Sequence, residues 1–374
     1  MKNVLILKFP HSSLFGGGEQ HTILLVEELQ KKGFNFFLAS SCRVLLDEFR
    51  KRKWPAQRAW AGPEPVSKIS ILSWPFVAPF AFVSVCLLLM HYRWWKKTTL
   101  LYCLSLTEKI LATIPARLLG MKVVWVEHVT FERWLIKNPL KVYYKLFSRQ
   151  ATIVAISQVI KQQLIEKISI KNEKILVIYN GVDLGKFTMK QYRWEKAARF
   201  NIGCVARLEK EKGIEFLIQA IKMVREYIPF IRLIIVGEGS EKRRLMWLAE
   251  RLGLKEIIQW VGYQHEIEKW YGFFDAYALP SVKRESFGIT IVEAMASGVP
   301  VVASRLGGIP EIVEHKKTGL LAEPGSSQSL ADQLLYLFNN RAETREIVMQ
   351  AREIVEQKFS LDRMIRDYYL LFRK

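Results

Sequence analysis

Short runs of apolar residues alternate with amphipathic stretches along almost the whole chain. In the first half the runs are VLILKF, FNFFLA, TLLYCL, KVVWVE, TIVAIS and KILVIY, and in the second half they are FNIGCVA, RLIIVGE, IIQWVG, AYALP, VPVVAS and GLLAE. Between them lie stretches of helical periodicity such as EQHTILLVEELQKKG and IEFLIQAIKMVREYI. Alternating strands and helices predict parallel sheets that are covered by helices on both faces. Twelve strands exceed one ordinary sheet, so the pattern predicts two doubly wound α/β domains.

The boundary between these domains is predicted within GKFTMKQYRWEKAARF, a polar and basic interval without apolar periodicity. We place the first domain at residues 1–188 and the second at residues 189–357, and a chain of 374 residues is long enough for both cores. Ligands of open parallel sheets bind beyond the carboxyl ends of the strands. Two such domains facing each other would therefore form a cleft, and the residues that follow each strand are the candidates for chemistry.

The net charge of +20 is distributed unevenly. Residues 1–190 carry 28 Lys and Arg against 12 Asp and Glu, a net of +16, whereas residues 191–374 carry 28 against 24, a net of +4. A basic half fits nucleic acid, an anionic membrane or an acidic substrate. The sequence contains no zinc spacing, RNP motif or basic heptad region, so we expect no nucleic-acid partner.

The cysteines and the N-terminus favour a cytoplasmic location. The four cysteines are far apart and form no CxxC pair, which indicates neither a structural zinc site nor a disulfide framework. The N-terminal MKNVLILKFPHSS has only a short apolar run followed by polar residues, and this predicts a first strand rather than a secretion signal.

One apolar segment approaches the length of a transmembrane helix. Ile69 to His91 contain no Lys, Arg, Asp or Glu, and HYRWWKK then forms an aromatic and cationic border. A membrane span here would put two parts of one predicted sheet on opposite sides of the bilayer. We therefore favour an apolar surface helix over residues 71–92 that lies in the interface or against lipid, helped by the basic charge of the same half. A core helix interrupted by Pro75 and Pro79 remains the alternative.

Two strand ends in the first half are candidate binding positions. The first strand is followed by SSLFGGGEQ, in which glycines, Gly17 and Gly18 among them, open a helix with Glu19 in its first turn. Such a loop lets backbone amides approach a phosphate or sugar, although the spacing is not the dinucleotide GxGxxG. His128 follows the strand KVVWVE. A lone histidine at such a position leaves a structural and a binding role equally open.

Strand ends in the second half fit an anionic ligand. Arg207 and Lys212 follow the strand FNIGCVA at a helix start, where two cations and the positive helix end form a candidate diphosphate clamp. A solvated charge run in RLEKEKG is the alternative. Glycines follow RLIIVG and precede IPEIV, and the amides around Phe287 and Gly288 begin another helix. Several such strand ends in one domain indicate a nucleotide-diphosphate ligand.

Glu285 and Glu293 lie eight residues apart in KRESFGITIVEAMASGVP. A glycoside hydrolase needs two carboxyl groups about 5 to 5.5 Å or about 6.5 to 9.5 Å apart. Glu293 is predicted within a short helix that ends at the Gly298 to Pro300 stop, and Glu285 lies just before that helix. Even fully helical spacing would separate them by about 12 Å. We therefore expect no shared acid and base pair, and exposed helix-terminal glutamates remain the simple alternative.

The motifs YNGVD, VARLEKEKG, VGEG, ESFGITIVEA, ASGVPVVAS, GGIPEIV and TGLLAEPG occur in the order typical of one family. In this pattern the chain resembles the retaining glycosyltransferases of family 4, which have the GT-B fold. The resemblance covers the C-terminal half closely and rests in the N-terminal half on GGGE, on Glu127-His128 and on AIS before a helix. It implies two Rossmann-like domains facing across a cleft, with a UDP- or GDP-linked sugar in the second domain and an acceptor in the first. It also implies no cofactor, no obligatory metal and a last helix, about residues 358–374, that crosses back to the first domain.

The resemblance also implies roles for individual residues. The family's Arg and Lys that match Arg207 and Lys212 hold the diphosphate and stabilise the leaving group. Glu285 then contacts the hydroxyls of the donor hexose, and Glu293 those of the ribose. The matched catalytic residues are His128, Arg207, Lys212 and Glu285. The matched donor-binding residues are Gly17, Gly18, Arg207, Lys212, Gly237, Glu285, Phe287, Gly288, Ile289 and Glu293.

From these observations we expect a retaining glycosyltransferase on the inner face of the cell membrane. It would transfer a hexose or related sugar to a lipid-linked or cell-envelope glycan. Two alternatives are a non-catalytic nucleotide-sugar-binding subunit of a glycan assembly complex and a GT-B nucleotide-sugar epimerase that uses no acceptor. The sequence leaves the donor base, the sugar, the acceptor, the linkage and the oligomeric state undetermined.

Overall fold

The computed structural model describes residues 2–10, 16–131, 133–189 and 199–373. The chain divides into two compact units, Met1–Tyr179 with Ile365–Lys374 and Asn180–Met364. Each unit is a parallel α/β sheet, of seven strands in unit 1 and six in unit 2. The predicted fold class of two doubly wound domains is confirmed.

Unit 1 is built on seven parallel strands in the order β3-β2-β1-β4-β5-β6-β7. The central strands are almost continuously apolar because helices cover both faces of a parallel sheet, and Val4 to Leu7 of β1 are fully buried. The strands are β1 (Lys2–Lys8), β2 (Phe34–Ser40), β3 (Ala56–Arg58), β4 (Thr98–Cys103), β5 (Lys122–Glu127), β6 (Thr152–Ala155) and β7 (Ile175–Val177).

The helices of the first part of the chain are α1 (Gly17–Lys31), α2 (Arg43–Lys51), α3 (Lys68–Trp94), α4 (Leu106–Leu111), α5 (Thr113–Leu118), α6 (Arg133–Ile136), α7 (Lys141–Ser148) and α8 (Gln158–Ile168). The apolar runs predicted six of the seven strands. The strand β3 was not predicted. It has three residues, none of them fully buried, and it pairs with β2 at the sheet edge. An edge strand so short carries no apolar alternation that a sequence pattern could reveal.

The apolar segment forms the single long helix α3, which runs through Pro75 and Pro79 without a break. It is long and apolar enough to cross a membrane, yet only 17% of its most apolar window is buried. One stripe packs against unit 1 and includes Trp74, Val85 and Leu89. The interpretation as a core helix is therefore wrong, and α3 is a surface helix. Its large exposed apolar side chains are Ile69, Leu72, Phe76, Phe80, Phe82, Val83, Leu87 and Trp94.

The C-terminal helix α15 (Leu361–Arg373) ends on the sheet of unit 1, to which Ile365–Lys374 belongs. Phe372 is buried, with its ring 5.8 Å from that of Tyr102 and 6.5 Å from that of Phe36. The ammonium groups of Lys2 and Lys122 donate to the last carbonyls of this helix. Cations at a helix C-terminus complement its dipole, so both ring packing and charge fix α15 on unit 1.

Unit 2 is built on six parallel strands in the order β10-β9-β8-β11-β12-β13. The strands are β8 (Phe200–Val205), β9 (Ile231–Val236), β10 (Ile258–Gly262), β11 (Ala276–Leu279), β12 (Val301–Ser304) and β13 (Leu320–Ala322). The helices are α9 (Ile214–Arg225), α10 (Lys242–Arg251), α11 (Glu268–Tyr271), α12 (Ile289–Ala296), α13 (Ser327–Asn339) and α14 (Arg341–Lys358). All six apolar runs of the second half correspond to these strands.

The chain passes from one unit to the other twice, and the two segments of unit 2 next to these points are hydrogen-bonded to each other. The amide of Val182 donates to the Phe359 carbonyl, and that of Leu361 donates to the Val182 carbonyl. Gly181 must be a glycine because a Cβ there would overlap the backbone of Ser360 and Leu361. Residues 190–198 of the predicted seam lie outside the described residues, and the boundary at residues 188 and 189 stays a prediction.

We expect Phe372→Ala to destabilise unit 1 by about 3 to 5 kcal/mol, because it removes a fully buried ring from an aromatic cluster. Leu370→Ala on the same helix is the matched control, since Leu370 is 53% exposed, and it should change stability by less than about 0.5 kcal/mol. Chemical unfolding of the two variants measures the difference. Equal losses would contradict the packing described for α15.

Candidate active site

Lys212 and Glu285 form an ion pair in unit 2, although 73 residues separate them in the chain. The Nζ atom of Lys212 lies 2.7 Å from Oε2 of Glu285, and the Ser281 hydroxyl donates to the same oxygen at 3.0 Å. Lys212 ends a short 3-10 turn after β8, while Glu285 follows β11. The carboxyl ends of these two neighbouring strands thus bring a cation and a carboxylate together, a contact that the sequence did not reveal.

Two glycines after β12 fix the backbone of Glu285. The Gly308 amide donates to the Glu285 carbonyl at 3.0 Å. Gly307 has φ +56°, and a Cβ at this position would overlap the same carbonyl oxygen. The pattern SRLGGIPEIV was predicted as an anion-binding strand end, and in the structure its glycines permit this close backbone contact.

The helix α12 begins at Ile289, directly after Gly288 with φ +100°. Its first amides lack intrahelical acceptors and carry the positive end of the helix dipole, so they can bind an anionic oxygen. The Phe287 side chain is 2% exposed and packs against Phe359, with 5.7 Å between ring centroids. Phe287 can therefore offer a ligand only its backbone, and the use of amides from Phe287 to Ile289 stays a prediction.

Glu293 lies inside α12 and is 1% exposed. Its Oε2 atom accepts a hydrogen bond of 2.8 Å from the Tyr271 hydroxyl. Burial raises the pKa of the Glu293 carboxyl to about 8, a rise that the Tyr271 hydrogen bond opposes and the Glu268 charge increases. The carboxyl is thus mostly protonated at pH 7 and can donate as well as accept. Tyr271, which comes from the four-residue helix α11, was not predicted.

The other predicted residues of unit 2 lie nearer solvent or act through the backbone. The Arg207 side chain is 52% exposed, and its nearest charged partner is Glu211 at 3.8 Å. Gly237 has φ +141° and donates its amide to the Gly262 carbonyl at 2.8 Å. A Cβ at Gly237 would overlap the Ala206 carbonyl, so this glycine joins the ends of β8 and β9 closely.

In unit 1 the structure brings Gly18 and His128 together. Gly18 is in the first turn of α1, and a Cβ there would lie 3.5 Å from the His128 ring. Gly17 is the exposed first residue of that helix. Glu19 forms an ion pair with Lys8 at the end of β1. The helix start after β1 and the residue after β5 therefore form one surface.

His21 accompanies His128 and was not predicted. The two rings meet edge to face with 4.8 Å between centroids, and His21 also contacts Tyr368 at 5.4 Å. All four ring nitrogens are buried and lack a hydrogen-bond partner among the described residues. Burial lowers the pKa of His21 to about 3; burial, and then the electrostatic effects of the neighbouring His21, Lys8 and Lys109, lower the pKa of His128. Both imidazoles are therefore neutral at pH 7.

A buried charge network supports the strand end before His128. The Lys109 ammonium lies 2.7 Å from Oε1 of Glu127, and the Tyr144 hydroxyl donates to the same oxygen at 2.6 Å. Lys109 also donates to the Val126 carbonyl at 2.8 Å. Removing one partner of such a pair leaves an uncompensated buried charge, so the network fixes the end of β5.

These strand ends can bind an anion in unit 2 and present a neutral imidazole in unit 1. Lys212, Arg207 and the start of α12 supply positive potential, while Glu285 supplies a hydroxyl acceptor. Within the described parts of the chain, no three His, Cys, Asp or Glu side chains are grouped as metal ligands.

The fold is similar to solved glycosyltransferases along its whole length. The glycosyltransferase from Rickettsia africae has a TM-score of 0.84 at 24% identity and covers 100% of this chain and 98% of its own. Anabaena HepE in complex with UDP has a TM-score of 0.83 at 23% identity, with full coverage of both chains. The two parallel α/β units thus have the GT-B glycosyltransferase fold.

Family models match both halves of the chain. The model for glycosyltransferase family 4 matches residues 15–186, and the model for glycosyl transferases group 1 matches residues 189–354. The chain therefore belongs to the group 1, family 4 glycosyltransferases, as the sequence motifs predicted.

Curated relatives are similar over part of their length. The putative colanic acid biosynthesis glycosyltransferase WcaL of Escherichia coli is 33% identical over 226 residues, which are 58% of this chain and 55% of WcaL. The amylovoran biosynthesis glycosyltransferase AmsK of Erwinia amylovora is 32% identical over 61% of this chain and 57% of its own. The chain spans little more than half the length of these relatives.

The free energy of unfolding of the wild type should fall as pH rises, and we expect Glu293→Gln to abolish this fall. The folded carboxyl holds its proton to about pH 8, whereas the unfolded one releases it near pH 4.5. The wild type should therefore lose about 1.4 kcal/mol per pH unit relative to the variant across this window. Unfolding both proteins from pH 5 to pH 8 measures the difference.

Glu256→Gln at an exposed carboxyl is the control and should follow the wild type at every pH. If the difference in free energy of unfolding between the wild type and Glu293→Gln stays constant with pH, the Glu293 carboxyl does not titrate in this way.

Proposed function

We propose that this protein is a retaining glycosyltransferase that moves a hexose or related sugar from a UDP- or GDP-linked donor to a lipid-linked or cell-envelope glycan. The reaction takes place at the inner face of the cell membrane and needs no obligatory metal or cofactor. The observation that carries the proposal is the Lys212 and Glu285 ion pair beside the start of α12. A diphosphate and a sugar hydroxyl are the two ligand groups that this arrangement suits.

Recognition of the donor follows from the chemistry of each group. Lys212, Arg207 and the amides from Phe287 to Ile289 bind the diphosphate, because charge-assisted bonds and helix starts favour phosphate oxygens. Glu285 accepts hydrogen bonds from the hexose. Glu293, with Tyr271 beside it, binds the ribose hydroxyls. Anabaena HepE, which shares the fold, was solved with UDP and with UDP-glucose, and this supports a nucleotide sugar as donor.

The transfer replaces one bond of the anomeric carbon with another. The bond from this carbon to the diphosphate oxygen breaks, and the acceptor oxygen bonds to the same face, so the configuration is retained. The acceptor proton passes to the leaving phosphate oxygen. Lys212, Arg207 and the dipole of α12 stabilise the negative charge that develops on the leaving group. His128 is neutral and acts as a hydrogen-bonding group rather than as a cation.

The acceptor class is inferred from the surface of unit 1. The helix α3 exposes a row of large apolar side chains, and residues 1–190 carry a net charge of +16. Apolar area combined with cations favours an anionic membrane surface. The relatives named for colanic acid and amylovoran biosynthesis support a cell-envelope glycan as the product.

The test is a panel of UDP- and GDP-sugars incubated with the protein and a membrane extract. We expect one donor to give nucleoside diphosphate and a glycosylated, extractable product in equal amounts. The proposal would be overturned if no donor released nucleoside diphosphate in extracts in which a known transferase is active. Conversion of the donor without a glycosylated product would overturn the transfer step.

Lys212→Ala should weaken donor binding about 10- to 100-fold, because it removes a charge-assisted contact to the diphosphate. Lys210→Ala is the matched control: Lys210 lies on the same 3-10 turn, is exposed, and makes no side-chain hydrogen bond or ion pair with any described residue. Donor-induced thermal stabilisation measures both affinities, since it follows affinity by mass action. Equal donor affinity in the two variants would contradict the role of Lys212.

A further inference from the structure

A cavity of about 650 Å³ opens at the amino-terminal edge of the unit 1 sheet. The first residues of β1, β5 and β6 and the second residue of β4 line it, so it lies opposite the strand ends that carry Gly18 and His128. The cavity is therefore separate from the candidate active site.

The lining of this cavity is strongly cationic. Among the described residues it contains five cations and no Asp or Glu, and the cations are Lys2, Arg117, Lys122, Arg149 and Lys174. Such a wall produces a positive potential that a bound anion would neutralise.

Two of these cations have a structural role and three do not. Lys2 donates to the Phe372 carbonyl at 3.1 Å and Lys122 to the Leu371 carbonyl at 2.5 Å, so both cap α15. Arg117 makes only a long bond of 3.4 Å to a backbone carbonyl. The side chains of Arg149 and Lys174 have no hydrogen-bond or ion-pair partner among the described residues. Even Glu173, next to Lys174, pairs instead with Lys171.

The exposed apolar surface of α3 reaches the rim of this cavity. Arg93, in the last turn of α3, donates to the Leu119 carbonyl at 2.9 Å. Leu118, between Leu119 and the cavity residue Arg117, is 84% exposed. After α3 the chain passes through Lys96 and Lys97 directly into β4, whose Thr99 lines the cavity. Apolar side chains and unneutralised cations thus adjoin one another.

We propose that the cavity binds the phosphate headgroup of an anionic phospholipid while α3 and Leu118 lie against the acyl chains of the same leaflet. The phosphate matches the cations that the fold leaves without partners. The apolar rim can contact the acyl chains of a phospholipid, whereas it has no role in binding a free anion. The inference rests on the membrane location in the proposed function and adds a second, lipid-specific site to it.

The packing of α3 fixes how the helix meets the lipid. Its inward stripe, which includes Trp74, Val85 and Leu89, is buried against unit 1 along most of its length. A helix packed in this way lies in the plane of the interface rather than across the bilayer. The helix contains no Lys, Arg, Asp or Glu from Ile69 to Tyr92, which suits contact with acyl chains, and the cations that would meet the headgroups follow at Arg93, Lys96 and Lys97.

The test compares binding of the full chain to vesicles of phosphatidylcholine with and without phosphatidylglycerol. Arg149→Gln with Lys174→Gln removes two cavity cations, and Lys222→Gln with Lys255→Gln removes two exposed cations of unit 2. We expect the cavity variant to bind anionic vesicles about 25-fold more weakly than the wild type, because each cation near the surface contributes about fivefold. The control variant should stay within about twofold of the wild type, and all three should bind neutral vesicles equally.

Equal binding of the cavity and control variants to anionic vesicles would overturn the proposal. Soluble glycerol phosphate provides a second readout. If it stabilises the wild type but not the cavity variant, and vesicles show no difference, the site takes a free phosphate and the lipid assignment is wrong. A dimer in solution that dissociates when Phe76 and Phe80 are changed to Ser, without loss of vesicle binding, would assign α3 to a second copy instead.

Donor-induced thermal stabilisation separates this inference from the proposed function. The cavity variant should retain the donor affinity of the wild type, because its two substitutions lie outside the donor site. Loss of vesicle selectivity with intact donor binding supports the lipid site. Failure of every donor would overturn the proposed function and leave the vesicle result unaffected.

Discussion

Parallel strand pairing is the constraint on which the rest of the structure depends, because it places every strand's carboxyl end at the same edge of its sheet. In unit 2 the strand order reverses direction between β8 and β11. Chains leaving two such neighbours turn to opposite faces and open a crevice between them. Lys212 follows β8 and Glu285 follows β11, so the one ion pair central to the candidate site lies where the topology leaves room for a ligand. In unit 1 the equivalent reversal lies between β1 and β4, near the surface formed by Gly18 and His128.

Four buried glutamates of the two units differ in their nearest polar partners. Glu285 has Lys212 and Glu127 has Lys109, each at 2.7 Å. Glu293 instead has the neutral hydroxyl of Tyr271, and burial raises its pKa to about 8. Glu108 accepts backbone amides, and burial raises its pKa to about 7. Two of these glutamates thus pair with a cation, whereas burial leaves the other two holding a proton near neutral pH.

The sequence predicted features that depend on short-range pattern, and it missed those that depend on long-range contacts. Twelve of the thirteen strands in the described part of the chain were predicted because a buried parallel strand is a continuous apolar run. The helix starts at Ile289 and after Lys212 were also predicted, since glycine and neighbouring helix formers mark them locally. Tyr271 was missed because nothing in EIEKWYGFF indicates its contact with a residue 22 positions away. The function of Gly307 depends on a carbonyl from another strand end, and no local pattern indicates that contact.

The charge imbalance between the halves is not explained by donor recognition, because the predicted donor-binding cations Arg207 and Lys212 belong to the nearly balanced half. The excess in the first half therefore needs another physical reason. At the amino-terminal edge of unit 1, Lys2 and Lys122 are accounted for by the carbonyls that end α15. The side chains of Arg149 and Lys174 have no hydrogen-bond or ion-pair partner among the described residues, so the fold itself does not neutralise them. In the proposed lipid site, an anion with an apolar tail would neutralise these cations at the edge of the sheet opposite Gly18 and His128, while its tail lies against the exposed face of α3.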